Sequence, residues 1–204
     1  MNRTDPVIVA ITGASGSLYG IRLLKALLAK PLTVHLIVSD AGKAVMAHEI
    51  GPYDKDIIPL LKANGVALHP QAQLHHHSPG DLFAPPASGS FLHGGMVIAP
   101  CSMKTLAAIT AGLADDLIHR SADVCLKERR PLILLPRETP LSLVHLENMV
   151  RAARAGATIL PPAPGFYFRP ETIQDLVDSI VARVLDHLGQ EHTLTKRWGD
   201  NHVV

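Results

Sequence analysis

The sequence predicts a parallel α/β fold, and three observations carry that reading. The apolar runs Val7 to Thr12, Thr33 to Val38, Met96 to Ala99, Leu132 to Leu135 and Ala157 to Leu160 are short and nearly unbroken, as expected of strands covered on both faces. Stretches with apolar residues at helical spacing separate them. Turns rich in Gly, Ser and Pro leave the strands, as in TGASGS and PCS. The chain has 204 residues, 47% apolar and 18% charged, which suits one compact domain with a sizeable core.

Other broad classes fall away. A formal net charge of +1 leaves no electrostatic footprint for nucleic acid or an anionic membrane. No apolar run approaches the roughly 20 residues of a membrane span. The N-terminus enters a strand pattern directly, without the apolar core of a signal peptide. Cys101 and Cys125 form neither a CxxC pair nor a disulfide framework, so a cytoplasmic location is expected. Aromatic residues make up only 4% of the chain, so the run Phe166-Tyr167-Phe168 is conspicuous.

The first strand, Val7 to Thr12, leads into GASGSLYG (13–20) and a helix carrying Ile21, Leu23, Leu24, Leu27 and Leu28. A strand, a glycine-rich turn and a helix start make an anion site, because free N–H groups and the helix dipole face the ligand. The spacing is not GxGxxG, so the turn points only weakly to phosphate or flavin, against a tight turn without ligand. Ser15 sits at its apex. Thr33 to Val38 is the next strand, and Ser39-Asp40 can cap a helix over Ala41 to Ile50. Glu49 near that helix's end is disfavoured by the dipole, and a solvated side chain is the plain alternative.

Residues 51–95 are the least regular. A helix is expected around Ile57 to Leu61, a short strand around Val66 to Leu68, and an exposed loop at His75-His76-His77. The triplet is not read as a metal site, since adjacent residues diverge in direction and no further ligand falls at a suitable spacing. PPASGS (85–90) suits a backbone approaching a flat ligand closely. After Met96 to Ala99, Ser102 can cap a helix with Thr105, Leu106 and Ile109, while Cys101 reads as a small buried residue rather than a nucleophile. The helix continues over Leu113 to Leu126. Arg120 and Lys127, seven apart, share a face.

Lys127 to Met149 is the stretch around which the chain is organised. Lys127-Glu128-Arg129-Arg130 close a helix and Pro131 forbids its continuation. Leu132 to Leu135 form a buried strand, and Arg137-Glu138 follow at its carboxyl end, where open α/β sheets bind their ligands. Pro140 stands where a helix begins, with Leu143, Leu146, Met149, Val150 and Ala153 at helical spacing. After Ala157 to Leu160 come the rigid PPAPGFYFRP and a closing helix, Glu171 to Leu188, where Arg183 could be only a surface charge. The tail from about residue 189 holds the only Trp, Trp198, and is expected to dock on a neighbouring subunit.

TGASGSLYG, APPASGS, PCSMKTL, ADVCLKERRPLILLPRETP, HLENM and PPAPGFYFRP, in this order, resemble the UbiX-type flavin prenyltransferases over nearly the whole chain. The resemblance implies a flavodoxin-like (Rossmann-type) three-layer sandwich with a parallel sheet, assembled as a homododecamer. It implies transfer of a dimethylallyl group from dimethylallyl phosphate to reduced FMN, without a metal, to make prenylated FMN for a UbiD-type decarboxylase. The FMN contacts carried over fall on Gly13, Ala14, Ser15, Ser39, Ser102, Met103, Lys104, Thr105 and Arg137. Prenyl-phosphate contacts fall on Tyr167 and Arg183, with Arg120, Lys127 and Arg137 adding positive charge. Glu49 and Glu138 match the acid–base carboxylates, and Ser15 the hydroxyl beside the flavin's reactive edge.

These residue types suit that chemistry. Breaking an allylic carbon–oxygen bond leaves a phosphate anion, which needs preorganised positive charge. Arg supplies bidentate contacts, Lys a point charge and Tyr a hydroxyl. The allyl cation needs a dry pocket with π faces, and ring closure needs protons moved by carboxylates. The alternative enzyme is a flavin-dependent decarboxylase of a peptidyl- or pantothenoyl-cysteine substrate. Against it, PPASGS stands where that group has a PASANT-like segment, and Glu49 occupies the helix end, though His48 adjoins it. A non-catalytic flavin carrier would not need the cluster of Arg120, Lys127, Arg137, Glu138, Tyr167 and Arg183.

Overall fold

In a computed structural model, residues 5–52 and 56–195 are described. The strands are β1 (Val7–Ile11), β2 (Thr33–Val38), β3 (Gln73–His77), β4 (Met96–Cys101), β5 (Leu132–Pro136) and β6 (Thr158–Ile159). They form one sheet in the order β3-β2-β1-β4-β5-β6, and every pairing is parallel. The helices are α1 (Ser17–Leu28), α2 (Asp40–Glu49), α3 (Ile58–Ala63), α4 (Met103–Thr110), α5 (Leu117–Lys127), α6 (Leu143–Arg154) and α7 (Ile173–His187). Without the edge strand β3 the order is that of a flavodoxin-like sheet; with it, the order is that of the doubly wound dinucleotide-binding fold.

Side-chain alternation divides the core into the expected three layers. Val7, Val9 and Ile11 face one way, among residues of α1, α3 and α7 together with Met46 of α2. Ile8 and Ala10 face the other way, against α4, α5 and α6. A bidentate contact, Arg22 Nε and Nη2 to the Asp178 carboxylate at 2.5 and 2.9 Å, ties α1 to α7. No helix among the described residues is long and apolar enough to cross a membrane.

Four local expectations are corrected. The histidine triplet is not a loop but most of β3, paired in register with β2 so that His75 lies beside His35. Its polar composition hid a half-buried edge strand. The strand expected at Val66 to Leu68 does not form; Gly65 (φ +71°) turns the chain at the end of α3, and Val66 N–H caps the helix by donating to Leu61 O. The helix expected from Leu113 is broken by Gly112 (φ +70°), and α5 starts only after Asp116, whose carboxylate accepts from His119 N–H. Pro140 does not open α6; Ser142 caps it, with Leu143 as the first helical residue. Past α7, Lys30 Nζ donates to Glu191 O and Leu194 packs on the main core, while Trp198 lies outside the described residues.

The β2–β3 register assembles a histidine cluster. His35 Nδ1 lies 2.8 Å from His77 Nε2, the His75 ring stacks on His35, and Phe91 meets His35 edge-on. Burial and then the neighbouring imidazoles His77, His75 and His93 push His35 down to about 4; burial and then Arg130 do the same to His93. Both start from 6.5, so their neutral forms are the ones that fit the fold. Their stabilising effect is complete above about 6.5 and is lost as the pH falls from there toward about 4. Thermal unfolding should therefore show Tm falling across that window, by about 2–4 °C per kcal/mol lost for a chain of this size. His35→Gln should flatten the slope; an unchanged slope would contradict this origin.

Candidate active site

The strand order reverses between β1 and β4, so the crevice past their carboxyl ends is where this topology binds ligands. Thr12 locks that edge. Its buried hydroxyl donates to Pro100 O at 2.8 Å and accepts from Ser102 N–H at 2.8 Å. Ser102 then caps α4, accepting from Thr105 N–H at 3.2 Å and donating to Thr105 Oγ1 at 3.0 Å. Ser39 caps α2 in the same way, with Gly42 N–H at 3.0 Å, and its own N–H donates to Ile11 O. A Cβ on Gly42 would lie 2.6 Å from Ile11 O, so only glycine lets α2 start this close to β1. Three helix N-termini, those of α1, α2 and α4, thus open on one rim.

At the first of them an anion is already seated. Glu49 accepts from Gly16 N–H at 3.1 and 3.0 Å and from Ser17 N–H at 2.8 Å. Gly16 (φ +112°) turns these amides outward in a conformation that L side chains rarely adopt. The end of α2 is the wrong end for a carboxylate, but the start of α1 is the right one, which removes the conflict seen in sequence. Partial burial opposes ionisation of Glu49; hydrogen bonds from Ser15, then from Ser17 and Gly16, outweigh it and hold the carboxyl below the usual range. Arg137 Nε donates to Ser15 O at 2.9 Å, bringing the end of β5 onto the same turn. Glu138 beside it is exposed and accepts from Thr139 N–H at 2.9 Å.

Gly13, Ala14, Ser15, Ser39, Ser102, Met103, Lys104, Thr105, Glu49, Arg137 and Glu138 therefore gather on one rim. Its donors, the capped first turns with the Ser39 and Ser102 hydroxyls and exposed Lys104, fit a phosphate such as that of FMN. Arg120 and Lys127 are elsewhere. Arg120 Nε donates to Ala87 O at 3.0 Å and pairs with Asp123 at 2.8 Å. Lys127 closes α5, pairs with Glu128 at 2.5 Å, and would lie 2.7 Å from a Cβ on Gly89. Both serve the PPASGS turn, and Lys127 lies near the amino end of β5, opposite the rim. Tyr167 and Arg183 are exposed, the first on the segment after β6 and the second on α7.

Two contributors escaped the sequence reading. Thr12 looks like the last residue of an apolar run, and Arg130 like one charge among four. Arg130 holds the end of PPASGS and the residue after it, donating to Gly89 O and Phe91 O, both at 2.6 Å. Cys101 and Cys125 are fully buried, which pushes each thiol up to about 12 and removes them as nucleophiles. Among the described residues no group of three His, Cys, Asp or Glu is arranged to hold a metal ion.

The seating of Glu49 is testable. Glu49→Ala should cost about 0.5–2 kcal/mol, as for loss of a helix cap. Since the folded carboxyl is held below its ordinary value of 4.5, that contribution is present above 4.5 and fades as the pH falls through the lower folded value. The wild-type–variant difference in urea midpoint should therefore shrink on acidification. Equal stability at neutral pH would contradict the geometry.

Comparison with known proteins places this rim in context. A family model described as Flavoprotein matches residues 1–185. The flavin prenyltransferase UbiX of Pseudomonas aeruginosa is 45% identical, with 100% of this chain and 99% of that protein covered. That of Methanothermobacter thermautotrophicus is 46% identical, covering 94% of each. A dodecameric FMN-dependent UbiX-like decarboxylase from Escherichia coli O157:H7 superposes with a TM-score of 0.83 at 46% identity, covering 95% of this chain and 98% of that one. AnUbiX (PadA1), solved with FMN and dimethylallyl pyrophosphate, gives 0.85 at 42% identity, covering 97% and 99%. Full-length identity at this level, on the same fold, makes the chain a flavoprotein and a member of the UbiX-type flavin prenyltransferase family.

Proposed function

We propose that the chain is a flavin prenyltransferase: it moves a dimethylallyl group from dimethylallyl (mono)phosphate to reduced FMN, and the prenylated FMN serves a UbiD-type decarboxylase. The observation that carries this is the single rim on which an anion-binding helix start, Arg137 and two carboxylates meet, in a chain that matches such enzymes over its whole length. Bound reduced FMN supplies the electron-rich ring that receives the prenyl carbon. Flavin-dependent cysteine decarboxylases share only the fold, with PPC decarboxylase at 18% identity.

The residues divide the work. Ser39, Ser102, Met103, Lys104 and Thr105 at the helix starts would hold the FMN phosphate, and Gly13, Ala14 and Ser15 would contribute the turn that contacts the flavin. Arg137, anchored on Ser15 O, would add positive charge for both the flavin and the prenyl phosphate. Ser15 and ionised Glu49, joined by a hydrogen bond, stand together at this turn and fix the hydroxyl of Ser15. Glu138, exposed beside Arg137, would act with Glu49 and the departed phosphate as a relay, taking up the proton released in ring closure as one is passed to the alkene. Tyr167 and Arg183 bind the prenyl phosphate.

Arg120 and Lys127 make their contacts away from these residues, with Ala87 O, Asp123 and Glu128. Lys127 is separated from the rim by the length of β5, five residues at about 3.3 Å each. We place these two cations in the site of an adjacent subunit of a homododecamer, the assembly of the E. coli neighbour. The buried free thiols Cys101 and Cys125 suit a reducing compartment such as the cytoplasm.

Anaerobic incubation with reduced FMN and dimethylallyl phosphate should raise the flavin mass by one prenyl unit; an unchanged flavin would overturn the reading. Glu138→Gln should slow product formation by about 10²-fold or more, and a normal rate would remove Glu138 from the relay. Co-expressed Lys127→Met and Arg137→Met chains should recover activity that neither has alone, through subunit interfaces that pair two intact halves. No recovery would place both residues in one chain's site.

A further inference from the structure

Helix α6 carries two apolar faces, although its own core covers only one. Asn148 and Ala152 are buried and His145 and Met149 half-buried, with Met149 against the second core cluster and Asn148 Oδ1 accepting from Thr110 Oγ1 at 3.3 Å. That side completes the packing of α6 on α4. On the outer side Leu143, Leu146, Val150 and Ala153 recur at steps of three, four and three residues, the spacing of a helix–helix seam. All four are exposed: Leu143 is 70%, Leu146 45% and Val150 48% accessible. Leu141, just before the helix, is exposed at 41%. Glu147, Arg151 and Arg154 border the seam with charges of both signs. An apolar strip edged by mixed charge has the anatomy of an interface core and rim.

We infer that this outer seam of α6 is where a second copy of the chain docks. A second copy is favoured over other occupants by the dodecameric neighbour, which is 46% identical over 95% of this chain. The seam also starts only five residues past Glu138, so it continues the rim that needs cations from another subunit. The rim carries both signs, so an identical surface can oppose it without repulsion of like charge. The inference rests on the assembly proposed above but adds the surface that makes it.

Two measurements separate the assembly from the seam. Light scattering on the wild-type protein reads the assembly itself: a multimer is expected, and a monomer would overturn both. Hydroxyl-radical footprinting of the same intact protein reads the seam: Leu143, Leu146 and Val150 should be protected relative to Phe83, another exposed apolar residue. Full reactivity of the three in a multimer would overturn the seam alone. A Leu146→Glu/Val150→Glu double variant should drop the mass to a smaller assembly with an unchanged circular dichroism spectrum. Unchanged mass in a folded variant would overturn the proposal, and footprinting of wild type decides the matter if the variant fails to fold.

Discussion

The structure depends on one electrostatic constraint: in a parallel sheet the helices that follow the strands begin on the same edge, each with unsatisfied N–H groups. Here three such starts crowd one rim, drawn in by Gly42 against β1 and by the Thr12 bridge to Pro100 and Ser102. That convergence leaves a surplus of donors that serine caps only partly answer. Glu49 answers another part, reaching from the wrong end of its own helix to the right end of α1. On the proposed reading, a ligand phosphate takes up the remaining donors. The same edge that solves a folding problem thereby becomes a binding site.

The arrangement also sorts the carboxylates by role. Glu49 receives hydrogen bonds that stabilise its charge, whereas Glu138 has only a single backbone contact next to a guanidinium. The oxygens of Glu49 are taken up by the start of α1, whereas Glu138 stays exposed on the rim, open to a substrate. Arg137, next to Glu138 in the chain, is tied through Ser15 O to the turn on which Glu49 is seated.

Much of this was legible in sequence because the strongest signals coincide with the fold's hard constraints. Unbroken apolar runs gave β1, β2, β4 and β5, and the residues just past their carboxyl ends gave Ser15, Ser39, Ser102, Arg137 and Glu138. What was not legible lacked a periodic signal. QLHHH carries no apolar alternation, so its pairing with β2 showed only when His35 was seen beside it. The partner of Glu49 lies 32 and 33 residues away on another element, beyond any local pattern. Lys127 and Arg137 stand close in sequence yet at opposite ends of β5, so nearness in the chain suggested a cluster that the strand pulls apart. The outer seam of α6 was visible as helical spacing, but spacing alone could not tell a core face from an uncovered one.

The central claim is that the helix starts on this rim bind the phosphate of the flavin. Quenching of flavin fluorescence on titration with FMN and with riboflavin, which lacks the phosphate, tests it directly. One charge-assisted hydrogen bond contributes about 1.5–3 kcal/mol, so FMN should bind at least about tenfold more tightly, and Ser102→Ala should narrow the gap. Equal affinity for the two flavins would contradict the account.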